Sequence, residues 1–388
     1  MQSGLKEILG TELSIVSDTN EAVANEIVIG NADRPTSGVK LGINEYSVYI
    51  YSGRLVIASG HNALLTTAVT EFIKAAENAT EIPELNGEVS DFVISKTVSG
   101  TTYTYSWGDE FNTTALDTDT WSFKGADGSY GVPADTEKLT DERCVDVSDG
   151  SLKLKTILYE SENSADVKYA NSWSLTTAKA MSYKYGYLEM YAKVPAVKGA
   201  WASLWLTSSG SLGTQNASYG VEVDIFETQS NFLTPNLHKW YTSTGSNTTD
   251  VAYNSSPASK YHDATSSSKK IQKYTAASNF RDEYHLFAFE WTPAKMVMYV
   301  DGEVYMTFDL TDDYEKYEKT GNDSEGAMSG FHDPMQIILG SGIYSSRYVA
   351  QNSWASDFML SDDTLLPFEL NVDWIRLYQS SEGELNTK

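Results

Sequence analysis

Cysteine is almost missing: Cys144 is the one cysteine in 388 residues, so no internal disulfide can staple the fold. A lone thiol reads as a small buried hydrophobe before it reads as a nucleophile. Basic residues are also scarce, 28 Lys and Arg against 53 acids, for a formal charge of −25. Nucleic-acid binding rests on Lys and Arg neutralising phosphates, so no nucleic-acid partner is expected. Anionic membrane surfaces would repel the same charge. No apolar run reaches the roughly 20 residues of a membrane helix, so no membrane insertion is expected. Residues 1–30 lack the basic-then-apolar order of a signal peptide. The five histidines, His61, His238, His262, His285 and His332, are scattered with no H-E-x-x-H spacing, which argues against a catalytic zinc.

Aromatic residues are abundant, with nine Trp and 25 Tyr. Most should fill a β core. Flat rings also stack on flat sugar rings, and three or four tryptophans are expected to line a groove. The chain changes character near residue 98. Before it, strand and helix signals mix: a helix ending over 6–9, a strand over 26–29, a hairpin of 46–51 and 55–59 around Ser52-Gly53, and a helix over 63–76. Residues 78–87 break structure. After residue 98 strand follows strand. Residues 284–291 alternate, with His285, Phe287, Phe289 and Trp291 on one face; 296–300 and 303–307 flank an Asp301-Gly302 turn; 368–378 form a long strand. Two inserts, 242–280 and 311–333, interrupt the pattern. The expected fold is mainly β, a jelly-roll sandwich with a small N-terminal α/β domain. The expected parts are an accessory domain over 1–85, a linker over 86–98, a β domain over 99–380 and a tail over 381–388.

The sharpest local feature is Val221–Glu227, V-E-V-D-I-F-E. Residues two apart in a strand share a face, so Glu222 and Asp224 point together and Val221, Val223 and Ile225 point oppositely. Regular pleating would set Phe226 beside the acids. A one-residue bulge near Ile225 and Phe226 restores the phase and brings Glu227 to its partners. Three carboxylates on one face repel, an arrangement that suits groups with different protonation tasks. With the bulge, Glu222 and Glu227 stand roughly 13 Å apart at Cα, which leaves about 5–6 Å between carboxyl groups. Retaining glycosidases need about 5–5.5 Å and inverting ones about 6.5–9.5 Å. An acidic edge strand or a calcium site would also account for the motif taken alone.

In its context the motif resembles the bulged signature of glycoside hydrolase family 16, the form typical of laminarinase-type endo-β-1,3-glucanases and of agarases and related galactanases. The resemblance runs over residues 99–380. It includes Trp107-Gly-Asp-Glu-Phe-Asn112 with Leu116-Asp117 and Trp121, Tyr185–Glu189 with Lys193, Gly199–Trp205, Leu237-His238 and Val372–Tyr378. It implies a concanavalin-like jelly roll with an open substrate groove. It implies Glu222 as nucleophile, Glu227 as general acid/base and Asp224 as the carboxylate between them. Trp201 and Trp205, four apart on one strand face, are sugar-stacking candidates; His238 and Trp240 are further substrate-binding candidates. No cofactor is expected for catalysis. A structural calcium is implied at Glu110, the Gly150 carbonyl and Asp373, as hard oxygen ligands suit that ion. Three departures stand out: Tyr191 replaces a frequent Arg, Ala202 a Pro, and Leu339–Gly342 the usual Asn and Gly-Gly, which leaves the glycan linkage open.

The leading expectation is a retaining endo-β-1,3-glucanase acting as a monomer on β-glucan or a related neutral polysaccharide. A β-galactanase or agarase-like hydrolase, a non-catalytic lectin-like sandwich and a cell-wall transglycosylase are the alternatives. A polymer substrate implies a secreted or cell-surface protein with its leader removed. N-x-S/T sequons at Asn78, Asn112, Asn216, Asn247, Asn254 and Asn322 would matter only in a eukaryotic secretory route. Residues 1–98 more weakly resemble the small α/β domain that precedes hexosaminidase and α-glucuronidase barrels, which implies an accessory role.

Overall fold

The computed structural model describes residues 27–30, 41–61, 64–77, 79–89, 93–112, 115–123, 135–208, 219–229, 232–243, 247–252, 280–310 and 331–388. The chain divides into two compact units, Met1–Ile94 and Ser95–Lys388.

In the first unit the strand Ile27–Ile29 runs parallel to Arg54–Ser59, which pairs antiparallel with Glu45–Tyr51. The hairpin turn puts Ser52 and Gly53 at φ 50° and 77°, the double left-handed geometry of a two-residue turn. A helix, Leu65–Ala76, lays Ala68, Val69 and Phe72 on Val48, Leu55 and Ile57. The sheet is completed by Leu85–Glu88 on Glu45–Tyr51, with the Ser47 hydroxyl bonded to Asn86 at 2.8 Å. That strand overlaps the stretch read from sequence as a linker. Its Asn86-Gly87 pair looks like a turn, yet Gly87 is needed because a Cβ there would lie 2.2 Å from the Tyr46 ring. The expected helix end over 6–9 lies outside the described residues.

The second unit is a sandwich of two large sheets. Among the described residues the larger has 11 strands; its main path runs Glu303–Asp309, Lys295–Val300, His285–Trp291, Gly186–Lys193, Phe368–Gln379, Ser151–Leu158, Tyr169–Asn171 and Thr136–Lys138. Six strands form the other: Trp173–Thr176, Gln336–Ile343, Ala200–Thr207, Tyr219–Gln229, Phe232–Ser243 and Asn247–Ala252. Alternation sends Phe287, Phe289, Trp291, Leu188, Met190, Leu370 and Val372 from one sheet against Leu204, Leu206, Val221, Val223 and Ile337 of the other. The Asp301-Gly302 hairpin turn repeats the geometry of the first unit, at φ 52° and 81°. His285 shares the core-facing side but bonds Asp301 at 2.7 Å.

Two further segments differ from the sequence expectation. Ser95–Val98, inside the supposed linker, pairs with Thr101–Asp109; Glu384–Thr387, inside the supposed tail, pairs with Met181–Lys184. Both are short, polar edge strands with little hydrophobic alternation to betray them. Lys96 repays the order by pairing with buried Glu189 and lying 4.5 Å over the Tyr378 ring. Cys144 is buried, and burial pushes its thiol up to about 12, which suits a packing role. Most of the inserts lies outside the described residues, as do Asn78, Asn216, Asn254 and Asn322.

Candidate active site

The acidic strand Tyr219–Gln229 sits between Ala200–Thr207 and Phe232–Ser243. Val221, Val223 and Ile225 are buried in the core, while Glu222 and Glu227 are half-buried and Asp224 is 2% exposed. Toward Ala200–Thr207 the register runs Trp205 with Asp224 and then Leu204 with Phe226, so Ile225 is an extra residue. Toward Phe232–Ser243, Asp224 pairs with Asn236 and Glu227 with Thr234, so Ile225 and Phe226 together oppose Pro235. This is the bulge the carboxylate spacing required. Proline fits opposite it, because the broken ladder asks no N–H of that position. Phe226 drops into the core against Phe287, ring centroids 4.8 Å apart, and Glu227 returns to the face of Glu222 and Asp224.

Side chains fasten the strand at both ends of the acidic segment. Thr207 donates to the Val221 carbonyl at 2.9 Å; Thr228 accepts from the Ala202 amide at 2.7 Å and donates to the Ala200 carbonyl at 3.1 Å. Such fastening limits how far the three acids can shift along the sheet.

Trp205 is half-buried at the register position of Asp224, on the face of the acids. Trp201 has a different surrounding from that of a free stacking platform. Its indole N–H donates to Oε1 of Glu227 at 2.7 Å. Tyr344 lies parallel to its ring at 4.8 Å and 7°, Trp173 meets it edge-on at 4.8 Å, and Tyr348 lies at 5.1 Å. The Tyr348 hydroxyl is pushed up to about 12, first by burial and then by the charge of Glu227. Gly342 makes room for this cluster, since a Cβ there would stand 2.1 Å from the Trp173 ring; Gly340 makes room for the Ser203 hydroxyl, which a Cβ would meet at 2.3 Å. Sequence reasoning passed over Trp173, Tyr344 and Tyr348; the Gly340-Ser-Gly342 departure was the one signal near them.

His238 and Trp240 occupy the register positions opposite Glu222 and Gly220, but their side chains lie outside the described residues. Tyr191, the departure expected to bear on linkage, is on the other sheet, stacked between Tyr284 at 5.1 Å and Trp374 at 5.8 Å. It therefore has no bearing on the face of the acids. Among the described side chains of the six-stranded sheet there is no Lys or Arg.

Of the three calcium candidates, Asp373 lies where Phe368–Gln379 changes neighbours, pairing with Ser151–Leu158 up to Val372 and with Thr101–Asp109 from Ile375, and Gly150 lies in the turn that precedes Ser151–Leu158. Glu110 directs both carboxylate oxygens to Arg376, at 2.7 and 2.6 Å, so its side chain is already committed. Asp373 is pushed up to about 6 by burial and then by the charge of Glu110. A half-buried carboxyl in that condition fits a cation; Glu110's carboxylate does not add to the donor set. Among the described residues no group of three or more His, Cys, Asp and Glu side chains is gathered for a metal.

Residues 103–380 match the family model of the GH16 domain of beta-porphyranases A–D. A glucan endo-1,3-beta-glucosidase A1 of Niallia circulans is 23% identical over 290 residues, covering 70% of this chain and 37% of that protein. A beta-glucanase of Rhodothermus marinus is 25% identical over 277 residues, 70% of this chain and 84% of that protein. This chain thus spans little more than a third of the Niallia protein. The endo-beta-1,3-glucanase structure of Pyrococcus furiosus superposes with a TM-score of 0.49 at 20% identity, covering 76% of this chain and 99% of that one. With the family model matched over most of its length, the chain belongs to glycoside hydrolase family 16.

Proposed function

We propose that the chain is a retaining endo-acting glycoside hydrolase that cleaves β-1,3-linked glucan. The observation that carries the reading is the Ile225 bulge, which turns Glu227 to the face of Glu222 and Asp224. Glu222, ionised, attacks the anomeric carbon as Glu227 protonates the departing glycosidic oxygen. The bond to the leaving sugar breaks and a covalent glycosyl ester forms on Glu222. Glu227, now an anion, takes a proton from water; the resulting attack releases the sugar with its β configuration restored. Trp201 donates to Oε1 of Glu227, which leaves the other oxygen to carry the proton and steadies the anion once it has gone. Asp224, buried beside both, orients Glu222 and raises the proton affinity of Glu227 by its charge.

A relative named as a glucan endo-1,3-beta-glucosidase supports the β-1,3 linkage, and one named as a beta-glucanase supports a β-glucan. The second reading kept beside it is a β-galactanase or agarase-like hydrolase, since the matching family model is named for beta-porphyranases. The scarcity of cations, 28 Lys and Arg against 53 acids, argues for a neutral polymer under either reading, since sulfate esters call for cations. A polymeric substrate implies secretion or display at the cell surface, and the first unit is read as an accessory. A structural calcium is part of the proposal, held by Asp373 and the Gly150 carbonyl; it would neutralise the half-buried carboxylate and take no part in the chemistry. Reducing-end assays on laminarin, mixed-linkage glucan, agarose and desulfated galactan test the reading. Release from laminarin supports the glucanase, release from galactan alone selects the second reading, and inactivity on all four would leave a glycan-binding sandwich.

A further inference from the structure

The bulge of the acidic strand has a counterpart in the opposite sheet. Between Lys295–Val300 and Glu303–Asp309, Met298 pairs with Met306 and Tyr299 with Val304, so Tyr305 is itself an extra residue. Tyr305 is 4% exposed and shares the core with Ile225 and Phe226. Its hydroxyl donates to the carbonyl oxygen of Ile225. One bulged residue is thus tied to another across the sandwich. The tie has a physical reason, since a bulge breaks the ladder locally and the carbonyl of the extra residue must find a partner elsewhere.

We infer that Tyr305 is a positioning residue for Glu227, holding the bulge at Ile225 and so fixing the phase of the acid/base relative to Glu222. The inference rests on the hydrolase reading above. A one-residue slip in a strand sends every side chain to the other face. A bulge moved one place along this strand would exchange the faces of Phe226 and Glu227 or skew the carboxyl group from its partner. Phe226 resists this through its packing on Phe287, and Tyr305 resists it by gripping the backbone itself. The remaining groove face, with Trp205 and Trp173, does not depend on this bond. Loss of the hydroxyl therefore bears on turnover more than on binding.

Tyr305→Phe removes the hydroxyl and keeps the ring. On the polysaccharide that the wild-type chain cleaves best, kcat falls about tenfold or more while KM stays within about twofold. The alkaline limb of the pH–rate profile moves to lower pH, because a Glu227 held less closely to ionised Glu222 gives up its proton more readily. Met306→Ala, which empties the neighbouring core position without touching the Ile225 carbonyl, lowers the melting temperature yet leaves the limb in place. Wild-type kcat and pH profile in Y305F would overturn the inference. So would the same kinetic changes in M306A, or a Y305F chain that fails to fold, since either makes the role of Tyr305 structural. A wild-type chain inactive on all four polymers would instead remove the hydrolase reading, and this inference with it.

Discussion

The indole N–H of Trp201 donates to Oε1 of Glu227 at 2.7 Å, while the ring is held between Tyr344, Trp173 and Tyr348. A donor aimed at a carboxylate favours its ionised form. Trp201→Phe keeps most of the packing and removes the donor. The Glu227 pKa then rises and the alkaline limb of the pH–rate profile moves upward, opposite to the shift expected from Y305F. The rate at the optimum falls by about tenfold or more, within the range that proton transfer contributes. An unmoved limb would mean that the bond does not influence the acid/base.

Gly342 bears on a different property. A Cβ there would stand 2.1 Å from the Trp173 ring, and Gly342→Ala must displace that indole. Trp173 forms the corner of the aromatic cluster beside the acids. The expected outcome is a KM raised several-fold with a nearly unchanged kcat, measured on the best polymer. Altered kcat at constant KM would show that Trp173 acts through Glu227 rather than on the sugar.

Calcium should act on stability alone. Asp373 is half-buried where its strand passes from one neighbouring strand to another, and desolvation there pushes its carboxyl up to about 6. Thermal melts with calcium are expected to lie above melts with a chelator. Asp373→Asn should bring the two curves together, because it removes the charge the ion neutralises. Equal wild-type melts in calcium and chelator would rule out a bound ion at this corner.

Much of the fold was legible because hydrophobic alternation is a local signal. Phe287, Phe289 and Trp291 declared one core face, and the Asp301-Gly302 turn declared its hairpin. The Ile225 bulge was legible for another reason: three acids cannot share one strand face without it. What escaped lay in pairings set by distant residues. Leu85–Glu88, Ser95–Val98 and Glu384–Thr387 carry too few apolar residues to announce themselves as strands. Trp201 was read as a sugar-stacking candidate, whereas its hydrogen bond to Glu227 depends on a ring orientation set by Tyr344 and Tyr348, more than 140 residues away. Tyr191 looked important by its position in a motif, yet strand order puts it on the other sheet. Tyr305 gave no sign at all, since an extra residue in a hairpin strand is visible only in the register.

The central claim is that the kinked acidic strand performs a double displacement. Proton NMR of the first sugar released, recorded before mutarotation, tests it most directly. The account predicts a β-anomeric reducing end at early times, drifting later toward the equilibrium mixture. An α-anomeric first product would mean a single displacement by water, and would contradict the assignment of Glu222 as a nucleophile.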